Sequence, residues 1–292
     1  MIVVAGEALV DLVQEGDVWR PVPGGGPFNT AVALRRLGQP AAFLGTLSND
    51  DYGASLFGLL VDAGVDVSLI RRSQAPTPLA LVHRHDDADN TYAFYLAATA
   101  LTDLPIQAIP ELTSAVSAIH LGTLALGVDP PAAAYEALLE REAARRAVVI
   151  DPNVRPSVFG NPAAYRTRFE RLAALAQVVK LSDDDAAWIY PEYETADVLD
   201  RILALGPRLV AITLGAAGAV AASDRAYAEI AAVPVTVPVA FEVTAREPAL
   251  FEAVMRTRMR RLTSVAASTR VLPVAPAMDT QLFAPASQLS HW

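Results

Sequence analysis

Ala147-Val148-Val149-Ile150-Asp151-Pro152-Asn153-Val154-Arg155-Pro156 joins an apolar run to a dense polar one. The apolar part is too short for a helix and stops at Asp151-Pro152. It reads as a strand buried on both faces, the type from which parallel sheets are built. In open α/β sheets the ligand sits outside the carboxyl ends of the strands. Asp151, Asn153 and Arg155, directly behind the strand, stand where such a site assembles. Arg155 brings a planar guanidinium shaped for phosphate or carboxylate. A capped, solvated loop is the structural alternative.

Runs of the same kind recur on both sides of this stretch. Ile2-Val3-Val4-Ala5, Ala41-Ala42-Phe43-Leu44 and Ala118-Ile119-His120-Leu121 precede it. Val178-Val179-Lys180-Leu181 and Leu209-Val210-Ala211-Ile212-Thr213 follow. Helical patterns over residues 28–37, 50–63, 130–146 and 162–176 lie between them, the last two with Pro near the start. This alternation predicts a doubly wound α/β sheet. Residues 12–22 and 78–97 break the rhythm by alternating polar and apolar side chains, with Thr91-Tyr92-Ala93-Phe94-Tyr95 strand-like and aromatic. They are expected to form exposed antiparallel strands outside the main sheet, as a small lid or as two edge hairpins without a role. The expected organisation is an α/β domain from residues 1–11, 23–77 and 98–271, a discontinuous β lid from 12–22 and 78–97, and an irregular tail over 272–292.

Composition narrows the chemistry. The chain has 292 residues, 53% of them hydrophobic and 19% charged, which fits an ordered core. Its 32 acidic and 23 basic residues give a net charge of −9, so nothing draws it generally to nucleic acid or anionic membranes. There is no cysteine, which excludes disulfides, thiolate catalysis and cysteine-held metals. No apolar run has the length of a membrane span, and Glu7 and Asp11 interrupt the apolar N-terminus, so it reads as a strand and the cytoplasm is the expected location. Walker A, HExxH and GxSxG patterns are absent. His83 and His85 have no further ligand cluster beside them. All 16 glycines lie at or before Gly218, and arginines cluster beyond it.

Four other constellations can carry chemistry. Gly24-Gly25-Gly26-Pro27-Phe28-Asn29 precedes a helix, where glycines let a ligand approach and free N–H groups await an acceptor. Asn29 in the first turn can bond a hydroxyl; a plain tight turn is the alternative. Asp11, in a loop after the first strand, can accept two hydrogen bonds from a diol, or serve the turn. Lys180-Leu181-Ser182-Asp183-Asp184-Asp185 ends a strand and starts a helix; its carboxylates can hold magnesium through water or cap the helix. Thr213-Leu214-Gly215-Ala216-Ala217-Gly218 offers small residues and backbone amides to a phosphate.

In this order the constellations closely resemble the ribokinase-like PfkB carbohydrate kinases, the fructokinase branch in particular. The resemblance runs through residues 4–11, 23–31, 34–38, 43–53, 151–156, 179–185 and 213–218, and covers roughly residues 1 to 240. It implies a three-layer α/β sandwich with a mostly parallel sheet and a small β lid. The implied activity is transfer of the ATP γ-phosphate to a sugar hydroxyl, with Mg2+, in a protein that forms a homodimer through its lid. It assigns Asp11, Gly25, Gly26 and Asn29 to the sugar hydroxyls and Phe94, or its neighbour Tyr92, to the lid. Asn153 and Arg155 fall near the sugar and the transferred phosphate, with Arg155 in a catalytic role. Lys180, Ser182, Thr213, Gly215 and Gly218 fall on the nucleotide side, and Asp185 on the metal. Ser182 and Asp185 replace the family's usual Asn-x-x-Glu pair.

One departure bears on the chemistry. The family signature, Asp-Thr-x-Gly-Ala-Gly-Asp, follows a Val-Pro-Val-like strand and ends in the catalytic base. Here Val233-Pro234-Val235-Thr236-Val237 leads to Glu242-Val243-Thr244-Ala245-Arg246-Glu247-Pro248. Pro248 occupies the base position and cannot accept a proton, and Ala245, Arg246 and Glu247 replace the glycine turn. The expectation is a sugar kinase with an impaired transfer step. A sugar- or nucleotide-binding protein without catalysis, or a chain with an altered C-terminus, is the alternative.

Overall fold

The computed structural model describes residues 1–83, 91–232 and 272–273. Residues 233–271, Pro248 among them, His85 and most of the expected tail lie outside the described residues. The chain opens with β1 (Ile2–Ala5), β2 (Leu9–Glu15), β3 (Val18–Gly24), α1 (Gly26–Arg36), β4 (Ala41–Ser48), α2 (Asp51–Asp62), β5 (Ile70–Ser73), β6 (Leu79–His83) and β7 (Thr91–Tyr95). It continues through β8 (Ala118–Gly122), α3 (Pro131–Glu142), β9 (Ala147–Asp151), α4 (Pro156–Phe159), α5 (Pro162–Leu175), β10 (Val178–Ser182) and α6 (Asp183–Ile189). The last elements are α7 (Thr195–Leu205), β11 (Leu209–Thr213), β12 (Ala219–Ser223), β13 (Ala226–Ile230) and β14 (Leu272–Pro273).

Ten strands form the large sheet in the order β14-β13-β12-β11-β10-β9-β8-β1-β4-β5. The strands from β5 to β11 are parallel to their neighbours, and β12, β13 and β14 add an antiparallel edge. Burial on both faces holds for β1 and β4, whereas β8 to β11 bury one face fully and leave the other only partly covered, which corrects the two-sided reading of those strands; α1 and α2 pack their second layer against β1 and β4. Val148, Ile150, Val179, Leu181, Val210 and Ile212 face a core shared with buried residues of α3, α5, α6 and α7. On the other face Val4 and Phe43 pack with Phe28 of α1 and Leu56 and Leu60 of α2. Each such side chain contributes about 1.5–3 kcal/mol on burial, so the sheet is a firm platform for the loops at its carboxyl edge. The result is an α/β sandwich around a mostly parallel sheet, as the motifs implied.

A second sheet, β3-β2-β6-β7, stands beside the first. Here the structure corrects the sequence expectation in two ways. β2 pairs β6 in parallel, not antiparallel, although β2–β3 and β6–β7 are antiparallel. The segment between β3 and β6 crosses through α1, β4, α2 and β5, long enough to bring β6 back in the same direction. Asp11 lies inside β2 rather than in a loop, because β2 continues straight through it with partners on both sides, Val22 and Ala80. Helix limits shift as well. α1 begins at Gly26, ahead of Phe28, with Pro27 in its first turn. α3 stops at Glu142, because the N–H groups of Arg145 and Arg146 both turn back to the Glu142 carbonyl. Among the described residues no helix is long and apolar enough to cross a membrane.

Candidate functional site

The turn from β3 into α1 forms the floor of the site. Gly25 has φ +105, and a Cβ there would lie 2.6 Å from the Glu7 carbonyl oxygen. A Cβ on Gly24 would collide with the Asp11 carboxylate, and one on Gly26 with the Thr123 hydroxyl. Glycines are therefore required by close approach on both sides of the turn. Register places Asp11, Val13, Ala80, Val82, Phe94 and Tyr92 on one face of the small sheet. Phe94 packs toward Leu9, Leu101 and Leu124 of the body. The Tyr92 and Phe94 rings stack with centroids 6.0 Å apart, and the Arg155 guanidinium sits 6.0 Å from the centre of the Tyr92 ring.

The loop after β9 closes the other side. Asn153, at φ 38, donates through Nδ2 to the Thr123 hydroxyl at 3.2 Å. Arg155 Nη1 lies 3.0 Å from Asn153 Oδ1. Thr123 itself has φ 59. A β-branched residue rarely holds that conformation, and such strain gathers at functional sites. The structure thus brings Asp11, Gly25, Gly26, Asn153, Arg155 and Phe94 close together. Asn29 sits in the first turns of α1 and is exposed.

Electrostatics mark the same cluster. Burial pushes the Asp11 carboxyl up to about 6, against the pull of Arg155. Burial also lifts Glu7 to about 7, against backbone N–H groups and Arg155. Glu7 and Thr123 were not singled out as site residues from the sequence, and Asp151 was placed at the strand's carboxyl end without a role of its own. The signals existed only in part: Glu7 is an acid inside an apolar N-terminus, and Asp151 opens the polar loop.

The residues that the resemblance assigns to the nucleotide lie along the carboxyl ends of β10 and β11. Ser182 caps α6, accepting the Asp185 N–H at 3.0 Å. The buried Asp185 carboxylate accepts N–H groups from Val154 at 2.6 Å and Ser182 at 2.9 Å. It therefore bolts the Asn153–Arg155 loop to the start of α6. Lys180 Nζ is 3.1 Å from Asp151 Oδ2, while Asp151 Oδ1 is buried without a hydrogen-bond partner. Burial raises Asp151 above the usual carboxylate range, with Lys180 opposing. Thr213 Oγ1 reaches the Leu181 carbonyl at 3.5 Å. Gly215 and Gly218, at φ 53 and 108, shape the turn into β12, and Leu214 N–H donates to the Gly218 carbonyl at 2.8 Å. A groove of about 390 Å3 lined by Met1, Arg35 and Asp66, among others, opens at the opposite, amino edge of the sheet, away from all these groups.

The profile of the pfkB family carbohydrate kinases matches residues 1–239. The chain belongs to this family. Its match ends just before Glu242, where the signature would begin. The fructokinase of Rhizobium leguminosarum bv. trifolii is 36% identical over 224 residues, 75% of this chain and 68% of that protein. The fructokinase of Salmonella typhimurium is 31% identical over 240 residues, 80% and 76% of the two chains. The structure of fructokinase with bound ATP from Xylella fastidiosa superposes with a TM-score of 0.73 at 26% identity, over 81% of this chain and 75% of that one. Fructokinase from Vibrio cholerae O395 in its fructose, ADP and calcium ion bound form gives 0.71 at 27% identity, over 80% and 77%. A putative ribokinase II from E. coli shares the fold, with a TM-score of 0.73 at 22% identity over 80% and 79%. This family member is thus a carbohydrate kinase of the fructokinase branch.

Proposed function

We propose that this carbohydrate kinase binds a ketohexose of the fructose type and Mg-ATP in adjoining pockets, and that its phosphate transfer is slow. The observation that carries this reading is the meeting of Asp11, Asn153 and Arg155 over the Gly24–Gly26 turn, beneath Tyr92 and Phe94. Asp11 accepts sugar hydroxyls, Asn29 and Asn153 add polar contacts, and the aromatic pair excludes water. Lys180, Ser182, Thr213, Gly215 and Gly218 border the nucleotide. Asp151, with its free carboxylate oxygen, would supply a hard oxygen donor of the kind magnesium uses together with nucleotide phosphates, while both oxygens of Asp185 are taken by the Val154 and Ser182 N–H groups and hold the loop beside it. Bound there, the cation neutralises phosphate charge.

In the reaction a sugar hydroxyl oxygen forms a bond to the γ-phosphorus while the bond to the bridging oxygen breaks and ADP leaves. Arg155 stabilises charge on the transferred group. With Pro248 in the place of the signature's aspartate, the hydroxyl proton passes to water instead of to a positioned carboxylate. Losing a general base typically costs about 10²–10⁴-fold.

The test is ADP release from Mg-ATP by purified protein, with fructose and a panel of other sugars. Slow, fructose-dependent turnover that vanishes in Asp11→Ala is the expected result. No turnover in a folded protein that still binds fructose or ATP would support the second reading, a binding protein without catalysis, which Pro248 favours. We also infer that copies pair through the small sheet in the cytoplasm, since Val18, Trp19 and Tyr95 on its outer strands are 58%, 38% and 58% exposed. Sedimentation of Trp19→Lys should then show a loss of dimer.

A further inference from the structure

Glu7 lies between β1 and β2 and is 2% exposed. Its Oε1 accepts the N–H of Gly26, 19 residues away and the first residue of α1, at 3.3 Å. The backbone amide of Ala125, in the helical turn Thr123–Leu126, favours the charged form of this carboxylate. Its Oε2 is buried and has no hydrogen-bond partner among the described residues. One side chain thus ties together the two backbone segments that carry Gly25, Gly26 and Thr123.

The groups facing Glu7 are few among the described residues. Arg155 attracts it from the loop after β9. Tyr135 of α3 is the other titratable neighbour, and its phenol donates to the carbonyls of Leu44, at 3.2 Å, and Gly6, at 3.4 Å. α1 and the 123–126 turn present only backbone N–H groups to it. Arg155 also attracts Asp11, so a single cation serves two buried acids. Burial opposes the charge on Glu7 and brings its ionisation to about 7, within the range a cell visits.

We propose that Glu7 is a positioning residue of the sugar pocket that makes sugar affinity depend on its own protonation. Ionised, it holds the Gly25–Gly26 turn and the 123–126 turn by charge-assisted hydrogen bonds, which are about twice as strong as neutral ones. Protonated on Oε2, it carries an O–H with no acceptor in reach and a weaker acceptor on Oε1, and both turns loosen. The proposal rests on the sugar-pocket reading above.

The experiment is calorimetric titration of the full chain with D-fructose from pH 5.5 to 8.5, in buffers of different ionisation heat. The expected result is affinity that falls by about tenfold per pH unit below about 7, with net proton release on binding at pH 7. Asp11 titrates lower, at about 6, so its step adds to this one at more acid pH. Glu7→Gln should bind weakly and without pH dependence between 6.5 and 8.5, and Glu7→Asp should recover part of both affinity and slope. The wild-type profile and proton release need no variant, so a Glu7→Gln that fails to fold leaves the test intact. Wild-type affinity that stays flat from pH 6.5 to 8.5, or Glu7→Gln with wild-type affinity and slope, overturns the proposal. A folded wild-type chain that binds neither fructose nor any sugar of the panel overturns the pocket reading and this proposal with it, and is told apart because the wild type itself gives no binding heat.

Discussion

Asp11 is pulled in opposite directions by its surroundings. Burial is the larger influence and disfavours its charge; Arg155 partly offsets it, and the carboxyl settles at about 6 against 3.8 for an ordinary aspartate. An acid raised in this way binds its proton more tightly in the folded chain than in the unfolded one. Its charged form therefore costs stability above pH 6, and that cost fades as the pH falls through 6 towards 3.8. Asp11→Asn should raise the stability of the protein at pH 8 by about 1–2 kcal/mol, discounting for partial exposure, with a gain that shrinks towards pH 4. Thermal or denaturant unfolding at both pH values checks the sign. The same variant should lose at least tenfold in fructose affinity, because an amide offers one acceptor oxygen and an NH2 donor where the carboxylate offers two acceptor oxygens. A gain in stability with a loss of binding is the pattern of a residue kept for function.

At the scale of elements, the capping box of α6 links the two halves of the site. Asp185 accepts one N–H from Ser182, on its own helix cap, and one from Val154, in the sugar-side loop. In Asp185→Asn only one oxygen remains, so one buried N–H must face an NH2 group. The expected cost is about 1–3 kcal/mol, with weaker binding of both fructose and ATP as the loop shifts. Ser182→Ala should cost about 1 kcal/mol through the lost cap and leave fructose affinity near wild type. Urea unfolding with calorimetry separates the two. This junction also marks how far the sequence could be read. Ser182 and Asp185 were visible as a cap-or-metal pair, because capping chemistry is local. The Val154 contact was not, since it joins residues 31 positions apart. The apolar strands of the large sheet were equally legible, because each is a short apolar run bounded by Gly, Pro or polar residues. β5, with its Arg71-Arg72 pair, and β12, made of small residues, carry no such run. Glu7 stayed hidden as a site residue for the same reason as the Val154 contact: its partners arrive only when α1 and the 123–126 turn fold over it.

For the whole molecule, the residues proposed to hold the sugar and those proposed to hold the nucleotide lie along the carboxyl edge of one sheet, ten-stranded among the described residues. The family match reaches residue 239 and stops before Glu242. A deficit located there acts on the transfer step, since the glycine turn and the base stabilise what develops during reaction and not the bound sugar. Restoring the signature tests this directly. Glu242→Asp, Val243→Thr, Ala245→Gly, Arg246→Ala, Glu247→Gly and Pro248→Asp, made together, should raise fructose-dependent kcat by about 10²-fold or more. KM for fructose should change little, as Asp11, Asn153 and Arg155 are untouched. Pro248→Asp alone should give much less, because a carboxylate without the turn that orients it is not held against the hydroxyl. Steady-state ADP release by the three chains, with fructose binding measured alongside, reads each of these outcomes. A restored chain that binds fructose and ATP as before yet gains no turnover would place the deficit outside residues 242–248.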